Sequence, residues 1–175
     1  MTPRYALARR RAQELLARAG VSCTPVNVYD IARRVLGAEI REEHYTGQGQ
    51  LSGMAYRRDG APDLIGVNES HSEARKRFTI AHEIGHLVMH ADRSFHVDQQ
   101  LWLRNEKSSA ADDACEIEAN QFASELLMPS AILSADLERG VDIEDEAEVK
   151  CLAEKYGVSV QAMNFRLARW SMGRG

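Results

Sequence analysis

The sequence predicts a mainly helical α+β domain with a small three-stranded sheet and a C-terminal pair of helices. Apolar residues recur every three or four positions over 3–19 and 70–90, which is the period of an amphipathic helix. Short alternating segments between 38 and 68 are separated by glycines, as strands often are. Gly157 followed by Ser159 marks a tight junction between two further helices. The chain of 175 residues suits one domain, or one domain with a small appendage.

Composition indicates a soluble globular protein, since 44% of the residues are hydrophobic and 27% are charged. No apolar run approaches the length of about 18 residues that a membrane span needs, and the N-terminus lacks the apolar core of a secretory signal. The cysteines Cys23, Cys115 and Cys151 are odd in number and widely spread, so neither a disulfide framework nor a cysteine metal site is expected. We therefore expect a reducing, cytoplasmic location.

The first two helices are predicted at residues 3–19 and 27–36. Gly20 ends the first, and Gly37 ends the second. Asn27 and Asp30 have the spacing of a helix start.

Three strands are predicted at 38–45, 51–57 and 63–68, with the last two forming a hairpin that leads into the next helix. Two interpretations of the hairpin stay open. It presents an exposed strand to which an extended peptide adds, or it is an ordinary sheet that covers the helix.

The helix after the hairpin carries the most informative pattern, His82-Glu83-x-x-His86. Ser70-x-x-Glu73 predicts a capping box at its start. Residues four apart on a helix differ by about 40° in direction, so both imidazoles can bind one metal ion. Glu83 lies beside that ion and can serve as a general base toward water. Gly85 would cost about 1 kcal/mol in a helix interior, which suggests that another backbone or a substrate comes close there.

A catalytic zinc site usually needs a third protein ligand. The metzincin pattern is excluded, because Met89 and Asp92 stand where it requires glycine and histidine. Residues 92–108 show no clean period and are predicted to be a long connection. A helix from Ser109 to about 127 then offers three carboxylates. These are Glu116, Glu118 and Glu125.

Glu116 is the favoured third ligand, because Ala119, Asn120 and Ala123 on its face let two helices approach closely. The Glu118 face, with Gln121, Phe122 and Glu125, is expected to be the wetter one.

The remaining polar residues near the motif are given supporting or surface roles. Asn120, one turn beyond Glu116, is expected to hydrogen-bond a ligand histidine from behind. His90 is expected to be a buried or capping residue near the helix end. His44, His71 and His96 have no partner spacing and are expected at the surface.

The C-terminal segment has the outline of a helix-turn-helix. A short helix near 130–138 ends before Gly140, and two helices then meet around Gly157 and Ser159. Residues 145–172 could therefore contact DNA, through the four side chains Gln161, Asn164, Arg166 and Arg169. The favoured alternative is a helical hairpin that packs on the core or binds a protein substrate, because the acidic residues at 142–148 would repel phosphate.

Two blocks of sequence together resemble the ImmA/IrrE family of metallopeptidases. They are Arg77-Phe-Thr-Ile-Ala-His-Glu-Ile-Gly-His86, and Glu116-x-Glu-Ala-Asn-x-Phe-Ala-x-x-Leu-Leu-Met-Pro129. The resemblance extends over essentially the whole chain. It implies a minimal gluzincin-like zinc peptidase with His82, His86 and Glu116 as ligands and Glu83 as base.

The resemblance also implies the family's usual activity, which is cleavage of a helix-turn-helix repressor that controls stress-response or mobile-element genes. We expect a peptidase domain at 1–140 and a helix-turn-helix-like segment packed on it at 141–175. The sensory domain of longer IrrE-like members is not expected. Imidazole and carboxylate also accept Mn²⁺, Fe²⁺ or Co²⁺ in place of Zn²⁺. Two rival hypotheses remain, a DNA-binding regulator and an antitoxin-like protein that acts by complex formation alone.

Overall fold

The computed structural model describes residues 2–45, 51–90, 95–99 and 110–173, without the side chains of 95–99 and 110–113. Over these residues the chain is mainly helical with one mixed sheet, so the predicted fold class is confirmed. The helices are α1 (Tyr5–Arg18), α2 (Val28–Asp30, continued by a π-helical turn over Ile31–Val35), α3 (Glu73–Met89), α4 (Ala110–Leu127), α5 (Ser130–Leu137), α6 (Glu146–Tyr156) and α7 (Val160–Ser171). None of these helices is long and apolar enough to cross a membrane.

The sheet contains the three predicted strands and one more. The strands are β1 (Glu39–Glu43), β2 (Leu51–Tyr56), β3 (Leu64–Asn68) and β4 (Phe95–Gln99), in the spatial order β1-β3-β2-β4. β2 and β3 pair antiparallel, which confirms the hairpin, and β1 pairs parallel with β3.

Strand β4 lies inside the segment predicted to be a plain connection, so that prediction is wrong for residues 95–99. The alternation there covers only five residues, too few to stand out without the antiparallel partner that β2 supplies. The remainder of that segment, 92–94 and 100–108, lies outside the described residues. Because both strands of the hairpin have neighbours on each side, neither offers an open edge to a peptide. The ordinary-sheet interpretation of the hairpin therefore holds.

Local capping agrees with the sequence at α2 but not at α3. The Asn27 side chain accepts a hydrogen bond from the backbone N–H of Asp30 at 3.1 Å, as predicted. The capping box at Ser70 is wrong, because α3 begins at Glu73 with Ser72 as its N-cap. Ser70 lies in a turn that precedes the helix. The side-chain oxygen of Asn68 accepts a hydrogen bond from the Ser70 backbone N–H at 3.0 Å and closes this turn. The predicted cap of α4, Ser109, lies outside the described residues.

Helices α3 and α4 cross in the centre of the molecule at Gly85. A methyl group placed at Gly85 would lie 3.2 Å from both the Cα and the carbonyl oxygen of Ala119. The backbone of α4 therefore occupies the space that any side chain at Gly85 would need, which confirms the predicted close approach. The helices run in opposite directions, because His86 meets Glu116 whereas His82 meets Asn120.

The other face of α4 is dry, which contradicts the prediction that it is the wetter one. Glu118 is 1% exposed and Glu125 is fully buried, because α1 and α7 cover them. Arg4 donates to both Glu118 oxygens, at 2.9 Å and 2.8 Å, and Arg166 lies 2.5 Å from Glu125. Each of these buried carboxylates is thus paired with its own guanidinium.

The C-terminal hairpin is built as predicted. Gly157 ends α6 in the left-handed conformation at φ +64°, and Ser159 caps α7 by accepting the backbone N–H of Ala162 at 3.1 Å. Arg77 of α3 donates to the Gly157 carbonyl oxygen at 2.9 Å, which fastens this junction to the core. The boundary at residue 140 between two structural units stays a prediction.

Two of the four side chains proposed to face DNA instead make contacts with other residues of the chain. Arg166 is 1% exposed and pairs with Glu125, and Arg169 donates to Gln121. These contacts favour the alternative in which the hairpin packs on the core.

Candidate metal centre

The two histidines of the motif and one glutamate of α4 converge at one point. His82 and His86 lie one turn apart on α3, with their Nε2 atoms 3.0 Å apart. The Glu116 carboxylate lies 3.3 Å from the His82 Nε2 and 3.4 Å from the His86 Nε2. One potential ligand atom from each residue thus lies within 4.8 Å of the others, and these three residues could hold a metal ion.

These spacings fit a tetrahedral zinc site. Imidazole nitrogens and carboxylate oxygens bind zinc at about 2.0–2.2 Å, which separates ligand atoms of a tetrahedron by roughly 3.3 Å. In this protein the two Nε2 atoms are 3.0 Å apart, and each lies near a different oxygen of the Glu116 carboxylate, at 3.3 Å for His82 and 3.4 Å for His86. The donor set of two imidazoles and one carboxylate leaves a fourth position for water or substrate, as catalytic zinc sites do.

The centre is enclosed on the histidine side and more open on the glutamate side. His82 and His86 are each 4% exposed, whereas the Glu116 side chain is 30% exposed. Burial alone would raise the pKa of Glu116, but hydrogen bonds from His82 and His86 outweigh it and hold that pKa well below its ordinary value. The Glu116 carboxylate is therefore negatively charged at neutral pH, as a carboxylate ligand has to be.

Asn120 orients the first histidine. Its side-chain oxygen lies 3.1 Å from the Nδ1 of His82. An amide oxygen only accepts, so Nδ1 must carry the proton. With Nδ1 protonated in this way, Nε2 is the nitrogen that donates to Glu116 when the ring is protonated and that offers a lone pair to a metal ion when the ring is neutral. This is the usual way in which a neighbour sets the tautomer of a metal-binding histidine.

Glu83 lies beside this cluster, fully buried between α3 and the sheet. A methyl group at Gly53 of β2 would overlap the methyl group of Thr79 and lie 3.1 Å from the Glu83 Oε1. Gly53 thus makes the room in which the Glu83 carboxylate sits. The sequence alone does not single out Gly53, because it does not show which helix lies under a strand.

His44, His71 and His90 lie outside the cluster. His90 caps the C-terminal end of α3 and is 4% exposed, with its Nε2 3.8 Å from Glu118. The side chain of His44 is 62% exposed, as predicted, whereas His71 is partly buried. The side chain of His96 lies outside the described residues.

A cavity of about 780 Å³ opens from the centre. Its walls come from β2, α3, α4 and α7, so the C-terminal hairpin faces the site. Sequence reasoning had left open whether the hairpin binds DNA, packs on the core or binds a protein. It did not identify Phe165, which lines this cavity and is 67% exposed. The sequence does contain a signal for this residue, since Phe165 is an aromatic residue between the polar residues Asn164 and Arg166 of the last helix.

An α+β domain with this histidine and glutamate cluster has the features of a metallopeptidase domain. The family model Peptidase_M78, described as the IrrE N-terminal-like domain, matches residues 33–168. The chain belongs to this family.

The individual relatives share 30% identity or less with this chain over the matched residues. The chain is 27% identical over 132 residues to "Uncharacterized immunity region protein 2" of Bacillus phage phi105, covering 74% of this chain and 73% of the phage protein. It is 30% identical over 115 residues to the radiation response metalloprotease IrrE of Deinococcus radiodurans, covering 59% of this chain and 34% of IrrE.

A solved structure of a Mycobacterium tuberculosis transcriptional regulator has the same fold. It matches 92% of this chain and 46% of its own length, with a TM-score of 0.61 and 15% identity. The chain thus spans about a third of IrrE and about half of the mycobacterial protein.

Proposed function

We propose that this chain is a zinc-dependent endopeptidase that cleaves a helix-turn-helix transcriptional repressor. The observation that carries the proposal is the convergence of His82, His86 and Glu116 at zinc-ligand spacing, with Glu83 next along α3. Imidazole and carboxylate ligands also suit Mn²⁺ or Fe²⁺, so metal analysis is part of the test.

Each residue has a defined part in this reaction. Zinc, when bound, supplies a Lewis acid that polarises a peptide carbonyl and acidifies water. His82, His86 and Glu116 hold the ion, and Asn120 keeps His82 in the tautomer that can bind it. Glu83 takes a proton from the attacking water and passes it to the leaving amine. Burial of Glu83 excludes bulk water from that proton transfer.

The relatives support a protein involved in gene control as the substrate. Relatives include a phage immunity region protein and a radiation response metalloprotease. Both names suit proteins that act on gene control, and the ImmA/IrrE resemblance implies a repressor as the protein that is cut. A control over stress-response or mobile-element genes is part of this proposal.

The test uses a helix-turn-helix repressor encoded beside the gene, incubated with the zinc-loaded chain and with its Glu83→Gln variant. We expect the wild type to produce discrete fragments by mass spectrometry, and a chelator to stop the reaction. Glu83→Gln should retain zinc and lose a factor of about 10²–10⁴ in rate, because only the base is removed.

Three outcomes separate the hypotheses. Cleavage by Glu83→Gln at the wild-type rate would refute the assignment of the base. A wild type that holds one zinc per chain and pairs stably with the repressor without cutting it would favour action by complex formation alone. Salt-dependent binding to duplex DNA without cleavage would favour a DNA-binding regulator.

A further inference from the structure

The cavity beside the metal centre continues as a groove along α4. Glu116, Asn120, Ser124 and Met128 line it at intervals of four residues, so they form one row on a single helix face. The row changes from a carboxylate at the metal end to a thioether at the far end. Phe78 of α3 lines the same groove from the opposite side.

Helix α7 forms the far wall of this groove. Ala162 and Phe165 lie three residues apart on one face of α7, and both line the groove. Phe165 is 67% exposed, although large aromatic side chains are usually buried. The helix that carries it is firmly held, since the neighbouring Arg166 is buried against Glu125. The apolar end of the groove is therefore a fixed surface.

The groove has the length of a short extended peptide. From Glu116 to Met128, twelve residues of helix rise about 18 Å. An extended chain advances about 3.3 Å per residue, so roughly five residues span that distance.

We propose that Phe165 of α7 and Phe78 of α3, at the end of the groove that Met128 also lines, form a subsite that receives an aromatic or aliphatic side chain of the substrate, roughly three to five residues from the cleaved bond. The subsite rests on the proposed endopeptidase function and adds a sequence preference to it. Its occupant is an extended peptide segment, because the groove is continuous with the metal centre and matches such a segment in length. The C-terminal hairpin thus selects the substrate.

The apolar end of the groove disfavours nucleic acid as the occupant. Phe78, Met128 and Phe165 offer a phosphate backbone neither a charge nor a hydrogen-bond donor.

The subsite can be tested by measuring peptide binding to the zinc-loaded Glu83→Gln variant of the full chain. This variant should bind the peptide without cleaving it. The probe is a fluorescein-labelled octapeptide library in pools that each fix one position as Phe, Leu, Asp or Ser, read by fluorescence polarisation. We expect one position at which the Phe and Leu pools bind about tenfold more tightly than the Asp and Ser pools, the effect of partly burying one such side chain.

Two further substitutions in the same background identify the surface. Phe165→Ser should abolish the preference. Because Phe165 is 67% exposed, this substitution should not unfold the protein, so a lost preference would report on the subsite. Val160→Ser is the matched control, because Val160 is an exposed apolar residue of α7, at 41%, that does not line the groove. It should leave the preference unchanged.

The proposal is overturned if no pool is preferred, if Phe165→Ser retains the preference, or if Val160→Ser loses it equally. Competition by a 20-base-pair duplex, or a dimer that Phe165→Ser dissolves, would overturn it in favour of nucleic acid or a second copy. A wild type that shows the preference but cuts no peptide would contradict the endopeptidase function and leave the subsite standing.

Discussion

The two faces of α4 carry carboxylates with different partners. On one face Glu116 meets the Nε2 atoms of two histidines, and on the other Glu118 and Glu125 each meet an arginine. The two arginine-paired carboxylates are at most 1% exposed, whereas the Glu116 side chain is 30% exposed and faces the cleft. Burial is therefore deepest at the structural carboxylates, although all three carboxylates are at least partly enclosed.

The partner distinguishes them. A guanidinium is always protonated and has no lone pair, so a carboxylate beside it is neutralised permanently and cannot share a metal. A neutral imidazole offers a lone pair. Two imidazoles and a carboxylate that lie together therefore supply three ligands for a metal ion. Hydrogen bonds from Arg4 lower the pKa of Glu118 despite its burial, so charge alone is also similar on both faces.

The largest effect is expected from breaking the arginine side of this comparison. Arg166→Met leaves the Glu125 carboxylate buried without its guanidinium, which should reduce the free energy of unfolding by about 3–5 kcal/mol. Urea unfolding measures it. Arg166→Met with Glu125→Leu should recover much of the loss, since no unpaired charge remains. Wild-type stability in the single variant would show that the pair contributes little.

Removing a carboxylate charge on each face should separate metal binding from stability. Structural zinc sites bind with about 10–16 kcal/mol over four ligands, so one ligand contributes roughly 3–4 kcal/mol, or about 10²–10³ in affinity. Glu116→Gln should lose that affinity in zinc titrations. Glu118→Gln, the matched control on the arginine face, should bind zinc normally and lose only stability. Equal zinc binding by both variants would refute Glu116 as a ligand.

A smaller effect is expected where α3 and α4 touch. Gly85→Ala gains about 1 kcal/mol of helix propensity but overpacks the crossing, which costs about 1–3 kcal/mol. We expect a net loss of about 1 kcal/mol in thermal or urea unfolding, with weaker zinc binding as His86 moves away from Glu116. Ala119→Gly should not rescue it, because the closest contacts are with the backbone of Ala119 and the ring of Phe122, which that change leaves in place. Rescue by that second change would contradict the close backbone approach.

The smallest effect concerns a paired carboxylate away from α4. Burial opposes ionisation of Asp136, but hydrogen bonds from Lys155 at 2.6 Å and Tyr156 at 2.8 Å lower its pKa. An Asp pKa lowered below its unfolded value of about 3.9 contributes stability above that pH. The advantage of the wild type over Asp136→Asn, about 1–2 kcal/mol at pH 7, should therefore persist to pH 5 and shrink below pH 4. An advantage that grows as the pH falls would contradict this assignment.

Local patterns predicted most of the helices and three strands. Asn27, Gly157 and Ser159 mark their junctions through hydrogen bonds between near neighbours in sequence, which a reader of the chain can anticipate. The predicted helix start at Ser70 was wrong, because the Asn68 side chain accepts the Ser70 backbone N–H and holds Ser70 in a turn. Strand β4 was missed because a partner strand, not its own pattern, stabilises it.

The spacing of His82, Glu83 and His86 can be read from the chain, since helical geometry places residues four apart on one face. The preference for Glu116 and Asn120 can be read in the same way, because small residues permit close helix packing. Three facts emerge only from the folded chain: Glu118 and Glu125 are buried, Gly53 makes room for Glu83, and α7 lines the cleft. Those facts depend on contacts between residues far apart in the chain, and a local pattern carries no information about which distant surface will cover it.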